Sequence, residues 1–580
     1  VAEQLTGAQI IVRMLKKMNV DVIFGYPGGS IMPVFDELYK EKYNVIIVRH
    51  EQAATHAADA YYRTTGKPGV VIVTSGPGAT NTVTGLATAA LDSIPMICIS
   101  GQVPTSMIGN DAFQEADVSG ITAPITKHNY LIKDPGKIAE TLNNAFYIAM
   151  TGRPGPVVID VPKDMQTATV EYIEPGEASM RSYKPVTEGN EKQIAKAAEL
   201  INEATRPLFY TGGGIIIADA EKELTEIITK TNIPITQTLL GLGGVPARIP
   251  QFIGMLGMHG TAYANYAVQE CDLLIAVGAR FDDRITGRMK DFAPHATIIH
   301  VDIDPANISK SVEVDIPIVG DAKNVLKMMI KHVKKRTDLD DWWARIQEYK
   351  EKHPLVYDTG SEIIKPQMVI AELSKLTDDD AIITTEVGQH QMWVAQYYDF
   401  QKPRRLCTSG GLGTMGYGFP AAVGAKIANP KQLVINIAGD GSIQMNIQEM
   451  GTIANYHIGV KNLILNNGYL GMVRQWQELF FDRRYSAVML THHHNQELKS
   501  VPAHRDTDAL KDYLPDFMKL AEAYNVRGIR CTKQSEVIPA LKEMIKDPDE
   551  PMIVEMRIAP EENVMPMVPA GAALHEMLLA

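Results

Sequence analysis

The sequence predicts an α/β protein made of three parallel-sheet domains, and three observations carry that prediction. Short β-branched runs alternate with stretches of helical length along the whole chain, as parallel strands joined by crossover helices require. The 580 residues exceed what one hydrophobic core organises and suggest about three or four domains. One segment, 432–467, reads as strand, helix, strand, with polar residues directly after each strand.

In the first segment, 1–185, the runs "VDVIFGY", "NVIIVRH", "GVVIVTSG", "PMICISG" and "GPVVIDVP" read as strands. The stretch "EPGEASMRSYKPVTEGN" (174–190) is polar, contains Pro and Gly and lacks periodicity, so it reads as a linker. The second segment, 190–350, alternates again through "RPLFYTGGG", "PITQTLLG", "DLLIAVGAR" and "TIIHVDID", and ends in a charged helical stretch, "DDWWARIQEYKEKH". The third, 362–580, holds "QLVINIAG" (432–439) and "VKNLILNN" (460–467) as buried strands around the helical "IQMNIQEMGTIANY".

Composition excludes several classes. A 45% hydrophobic and 21% charged chain is that of a soluble globular protein. A net charge of −12 argues against nucleic acid as a partner. The four cysteines, at 98, 271, 407 and 531, form no CxxC pair, so neither a disulfide framework nor a zinc site is expected. No apolar run is long enough to cross a membrane, and "VAEQLTGAQIIVRML" reads as a helix start, not a signal peptide. A cytoplasmic protein is expected, with an organelle-targeting peptide removed upstream left open.

In a βαβ unit both strands end on one edge, where open α/β sheets bind ligands. Asp440 and Asn467 therefore meet, and a carboxylate with an amide carbonyl suits Mg2+ that also holds phosphates. Gly439 and Gly441 admit close backbone approach to a diphosphate. Alone, "GDG" and "NNG" are each tight turns; together, each after a strand, they favour a metal-diphosphate site. In the second segment "FYTGGG" does not complete G-x-G-x-x-G, while Asp302 and Asp304 end a strand in position to bind a ribose or adenosine group.

GDG followed by about two dozen residues and NN resembles the thiamine-diphosphate motif. "RHEQ" followed by "HAADAY" resembles the glutamate segment of those enzymes. "GYPGGS", "TSGPGATN", "GQVPTSMIGNDAFQE", "ITKHNYL", "GRPGPVVIDVPKD", "LGMHGTAYANYAVQECDLLIAVGARFDDRITG", "VGQHQMW", "LGMVRQW" and "PMVPAGAA", in order over nearly the whole chain, resemble acetohydroxyacid synthase catalytic subunits. The resemblance implies the fold of thiamine-diphosphate decarboxylases, with pyrimidine-binding, FAD-binding and diphosphate/Mg-binding domains in that order.

It also implies roles. Glu51 activates thiamine diphosphate from one subunit while the diphosphate site belongs to another, so the protein is a homodimer or tetramer. Asp440, Asn467 and the Tyr469 carbonyl hold Mg2+. Val387, Gly388, Gln389, His390, Gly413, Met415, Gly439, Gly441, Ser442 and Met472 contact the cofactor, with Met415 wedged beneath it. Gly29, Phe113 and Gln114 line the reaction side, and Lys163 lies at the entrance. Arg284 meets the acceptor carboxylate and Trp476 the acceptor's extra methyl. FAD, without a net redox role, is held by Arg153, Gly212, Gly213, Gly214, Thr238, Leu239, His259, Gly278, Arg280, Asp302 and Asp321. Each has a plain alternative: Glu51 as a helix N-terminal acid, Met415 and Trp476 as core, Phe113 as packing, Lys163 as a solvated charge, Arg284 in a local salt bridge.

The implied reaction decarboxylates pyruvate on thiamine diphosphate and transfers the hydroxyethyl unit to pyruvate or 2-ketobutyrate. The products are 2-acetolactate and 2-aceto-2-hydroxybutyrate, in branched-chain amino-acid biosynthesis. A small regulatory subunit is an expected partner; nucleic acid and membrane are not. A flavin-linked pyruvate oxidase, an FAD-free catabolic acetolactate synthase and a non-catalytic ligand-binding homologue are the alternatives, and "FDDR", "MVRQW", Glu51, Asp440 and Asn467 favour the synthase. Three departures stand out. Ala53 and Ala60 replace common glycines, Gly451 interrupts a helix, and a polar stretch with His492, His493, His494 and His504 occupies 490–517. Adjacent histidines do not converge as i, i+4 ligands do, so a solvated loop is expected there.

Overall fold

Eighteen strands, six to a sheet, are paired parallel throughout in this computed structural model, which describes residues 3–178, 180–377, 379–490 and 515–579. The first sheet holds β1 (Ile23–Tyr26), β2 (Val45–Ile47), β3 (Gly69–Val73), β4 (Met96–Gln102), β5 (His128–Leu131) and β6 (Pro156–Pro162), in spatial order β2-β1-β3-β4-β6-β5. The second holds β7 (Pro207–Thr211), β8 (Ile235–Gln237), β9 (Phe252–Met255), β10 (Leu273–Val277), β11 (Thr297–Asp302) and β12 (Ile316–Val319), in order β9-β8-β7-β10-β11-β12. The third holds β13 (Ile382–Thr385), β14 (Leu406–Cys407), β15 (Val434–Gly439), β16 (Val460–Asn466), β17 (Arg527–Cys531) and β18 (Met552–Arg557), in order β14-β13-β15-β16-β18-β17.

Relabelled from its own first strand, the third sheet repeats the 2-1-3-4-6-5 order of the first. The middle sheet instead has 3-2-1-4-5-6, the dinucleotide-binding order. The central strands are Val/Ile runs buried on both faces because helices cover both sides. Sequence patterning left seven strands of the sheets unnamed: β5, β9, β12, β13, β14, β17 and β18. It also missed a short antiparallel pair, Gln4–Thr6 with Thr169–Glu171, which closes the first segment. Five of those seven, β5, β9, β12, β14 and β17, are short edge elements in which apolar alternation is weak. Residues 174–190, expected as a linker, carry no helix or strand where described.

Seven helices matter for the site: α1 (Glu51–Thr65), α2 (Ala322–His332), α3 (Asp340–Lys352), α4 (Gln389–Tyr397), α5 (Gly418–Ala428), α6 (Met450–Tyr456) and α7 (Gly471–Phe480). α1 starts at His50, whose ring accepts from Gln52 N–H, and stops at Gly66, left-handed at φ 75°. Ala53, Ala57 and Ala60 on α1 are fully buried, and a Cβ on Gly424 of α5 would overlap the Ala57 carbonyl. Small residues therefore let α1 and α5 cross in backbone contact, which joins the first and third segments. The helix expected over 443–456 is broken: a 3-10 turn, Ile443–Glu449, kinks at Asn446 (φ −135°) before α6. The interruption falls there and not at Gly451, which sits in the first turn of α6 under the Arg49 side chain. Among the described residues, no helix is long and apolar enough to cross a membrane.

Candidate active site

β15 and β16 are parallel neighbours in register from Val434↔Val460 to Gly439↔Leu465, so both end on the same edge. Asp440 and Asn467 follow them, 1% and 9% exposed, and both line a small cavity of about 60 Å3. Gly439, Gly441, Ser442 and Tyr469 complete that wall, with Val387, Gly388, Gln389 and His390 opposite. Those four enter α4, whose N-cap, Gly388, offers no side-chain acceptor, so the first amides of a nine-residue helix have no side-chain cap. Such an N-terminus favours phosphate. Burial lowers the His390 pKa to about 3, leaving a neutral ring whose Nε2 has no partner among the described residues. An oxygen donor pair beside an uncapped helix start fits a divalent cation with a diphosphate.

The Asn467 amide is oriented: Nδ2 donates to Gln389 Oε1 (3.3 Å) and Oδ1 accepts from Tyr469 N–H (3.1 Å). The Gln389 side chain is thus turned to the protein and not into the cavity.

A second cavity, about 960 Å3, opens beside the first and shares Val387, Gly388, Met415, Met472 and Val473 with it. Met415 is half-buried between the two, so it is not ordinary core. Arg153, Gly212, Gly213, Gly214, Thr238, Leu239, His259, Gly278, Arg280, Asp302 and Asp321 all line this cavity. The turns after β7 and β10 are stacked, since a Cβ on Gly212 would lie 2.6 Å from the Gly278 carbonyl oxygen. Bare backbone therefore forms the floor, a cradle that suits a dinucleotide at the switch point between β7 and β10.

Asp302 holds its loop by accepting from Asp304 N–H (2.8 Å) and Asn307 Nδ2 (3.1 Å), with lone pairs left for a hydroxyl. Asp304, expected to share that role, lies outside this cavity and pairs with Arg153 at 3.3 Å. His259, lowered to about 4 by burial, sits under the Pro566 carbonyl.

Arg284 and Trp476 also line the large cavity. Arg284 lies 3.8 Å from Asp283, an exposed pair worth little, so its guanidinium is available to a ligand. Trp476 packs edge-on against Phe480 at 5.9 Å and is only partly buried. Gly413, at φ 73°, has no neighbour among the described residues within 4 Å of where a Cβ would point.

Glu51, Gly29, Phe113, Gln114 and Lys163 line neither cavity. Glu51 is the first residue of α1, as its plain reading has it, and accepts from Asn81 Nδ2 at 2.8 Å. Gly29 and Gln114 flank the same sheet edge: Gly28 packs on Thr74, and Gln114, left-handed at φ 60°, packs on Gly76. Phe113 is 87% exposed, which excludes packing within the chain. Lys163 starts a short helix on the surface. The histidine stretch at 492–494 and 504 lies outside the described residues.

Sequence reasoning missed Glu386. It is fully buried, accepts from Gly416 N–H (2.6 Å) and Phe419 N–H (3.0 Å), and burial raises its pKa to about 7. It ties the Met415 loop to the start of α5. It also missed Asp92, which accepts from Gly410 and Gly411 N–H and pairs with Arg63 at 2.7 Å. A carboxylate just ahead of "VGQHQMW" was the only signal for the first.

Three family models match the chain: "Thiamine pyrophosphate enzyme, N-terminal TPP binding domain" over 5–121, the central domain over 194–329 and the C-terminal TPP binding domain over 386–556. The acetolactate synthase large subunit of Buchnera aphidicola is 48% identical over 586 aligned residues, covering 100% of this chain and 99% of the relative. The isozyme 3 large subunit of Escherichia coli is 45% identical over 589, with 100% and 99% covered. A probable large subunit from Methanocaldococcus jannaschii is 48% identical over 581, with 98% and 94% covered. With cofactor-type cavities and full-length likeness in agreement, the chain belongs to the acetolactate synthase large-subunit family of thiamine pyrophosphate enzymes.

Proposed function

We propose that the chain decarboxylates pyruvate and joins the two-carbon unit to a second 2-keto acid, pyruvate or 2-ketobutyrate. The observation that carries this reading is the wall shared by the two cavities. Val387, Gly388, Met415 and Met472 stand between the Asp440/Asn467 pocket and the space lined by Arg284 and Trp476. Bound thiamine diphosphate would supply the carbanion chemistry that decarboxylation of a 2-keto acid needs. Asp440, Asn467 and the Tyr469 carbonyl would hold Mg2+, and the α4 N-terminus with Gly441 and Ser442 the diphosphate. The Glu51 carboxylate would hold and pass the proton of the aminopyrimidine. Arg284 would receive the acceptor carboxylate as a planar fork, and Trp476 would form an apolar wall. FAD would occupy the glycine-floored cavity, consistent with the strand order of the middle sheet.

The segments 1–185, 190–350 and 362–580 then serve as pyrimidine-binding, FAD-binding and diphosphate/Mg-binding domains. Glu51, Gly29, Phe113 and Gln114 would reach the cavities of a second copy. This is supported by their absence from the lining of both cavities and by exposed Phe113 and Met32, 87% and 60%. A homodimer or tetramer follows. Relatives named as large subunits support a small regulatory partner, and the proposed products would serve isoleucine and valine biosynthesis. Purified protein with pyruvate, thiamine diphosphate, Mg2+ and FAD should yield acetolactate and carbon dioxide. Hydrogen peroxide or quinone reduction in place of acetolactate would move the reading to a pyruvate oxidase.

A further inference from the structure

The side-chain amides around Asn467 form a chain whose polarity is set by backbone atoms. Gln475, fully buried on α7, accepts from Val564 N–H (2.8 Å) and donates Nε2 to the Val564 carbonyl (3.0 Å). Backbone groups cannot exchange roles, so they fix which end of the Gln475 amide is oxygen. Gln389 then donates Nε2 twice, to Gln475 Oε1 (2.9 Å) and to the Glu562 carbonyl (2.9 Å). With both protons engaged, its Oε1 faces the other way and receives Asn467 Nδ2 at 3.3 Å. Asn467 Oδ1 is left on the side of Tyr469 N–H and the small cavity. Gly471 leaves room for this contact: a Cβ there would overlap Gln389 Oε1 and lie 2.7 Å from Asn467 Nδ2.

We propose that Gln475 is a positioning residue that, through Gln389, holds the Asn467 amide with its oxygen toward the cation, taking its own orientation from the backbone of residues 562–564. Reversed, the amide would aim an NH2 at the cation and at Tyr469 N–H. The inference rests on the reading of Asn467 as a metal ligand. It makes a segment about a hundred residues away in sequence part of the machinery that orients that ligand, as outer-shell partners orient metal ligands elsewhere.

The test is a Mg2+ titration of the full-length chain with thiamine diphosphate, read by intrinsic tryptophan fluorescence, since Trp393 and Trp476 line the two cavities. No turnover is needed. Gln475→Met should weaken Mg2+ binding by about 10–100-fold. Gln475→Glu keeps the oxygen that receives Gln389 and should lose less. In an Asn467→Ala background Gln475→Met should cost nothing further, because the ligand it orients is gone. Unchanged Mg2+ affinity in folded Gln475→Met, or an equal further loss beside Asn467→Ala, overturns the relay while leaving the functional reading intact. A parent chain that binds the cofactor without any dependence on Mg2+ overturns the metal-site reading and the relay together. Should Gln475→Met not fold, Gln389→Met breaks the same chain one link nearer the cation and is read the same way.

Discussion

Glu51 accepts one hydrogen bond from Asn81 and is the first residue of α1. An amide there keeps the shape and the Asn81 contact but cannot cycle a proton. Glu51→Gln should therefore leave cofactor binding intact and slow proton exchange at the cofactor by about 10²–10⁴-fold, as measured by NMR. Near-parental exchange would remove Glu51 from the mechanism. Trp476 and Arg284 make separable predictions because they touch different parts of an acceptor. The two acceptors differ by one methylene, so an apolar wall discriminates by about 1–3 kcal/mol at most. Trp476→Leu should keep acetolactate formation and lose most preference for 2-ketobutyrate, whereas Arg284→Lys should weaken both acceptors alike. The product ratio in mixed substrates reads both, and an unchanged ratio in Trp476→Leu would exclude that ring from the acceptor pocket.

Between α1 and α5 the backbones touch, and the contact depends on missing methyl groups. A Cβ at Gly424 meets the Ala57 carbonyl, which cannot rotate away as a side chain would. Gly424→Ala should lower the melting temperature, by the equivalent of about 1–3 kcal/mol or more. A neutral result would mean that α5 slides on α1 at little cost. The same helix carries a pH response. His56 on α1 is fully buried and stacks edge-on with Tyr417 at 5.2 Å. Burial first, then the Arg63 charge, lowers its pKa to about 3 from 6.5. The unfolded chain therefore binds the extra proton over that interval, so this contribution is complete above about pH 6.5 and is lost as pH falls toward 3. Melting temperatures of His56→Gln should fall less steeply than the parent's across that window. Parallel curves would show that the ring is protonated in the folded state.

At the scale of the molecule, the residues proposed for catalysis divide into two sets that belong to different sheets. The Glu51 edge belongs to the first sheet, whereas Asp440 and Asn467 end strands of the third. Two inactive chains should then complement. When Glu51→Gln and Asp440→Ala proteins are dissociated, mixed equally and reassembled, each mixed dimer holds one intact site. Activity should return to about a quarter of the parent's, given random pairing into two-fold dimers. Recovery at the level of either mutant alone would place both sets in one chain's site.

The sequence by itself determined the class of fold, the βαβ placement of Asp440 and Asn467 and the glycine positions of the middle sheet. Each is a local consequence of period, turn chemistry or the absence of a side chain. Tertiary structure decided what no local pattern encodes. The repeated strand order of the first and third sheets depends on crossovers, and β5, β9, β12 and β17 are held by neighbouring strands and not by their own alternation. The kink at Asn446 moved a helix break that Gly451 suggested, because the Asn446 amide donates to the Gly416 carbonyl at 2.6 Å. Asp304 and Asp302 look equivalent in "HVDID", yet Asp304 faces Arg153 and only Asp302 reaches the large cavity. Glu386 gave no signal beyond its place ahead of "VGQHQMW", and the Gln389–Gln475 pairing gave none, because the backbone groups that fix them lie far away in sequence. A buried polar group takes its meaning from what desolvates it and what it then must bond.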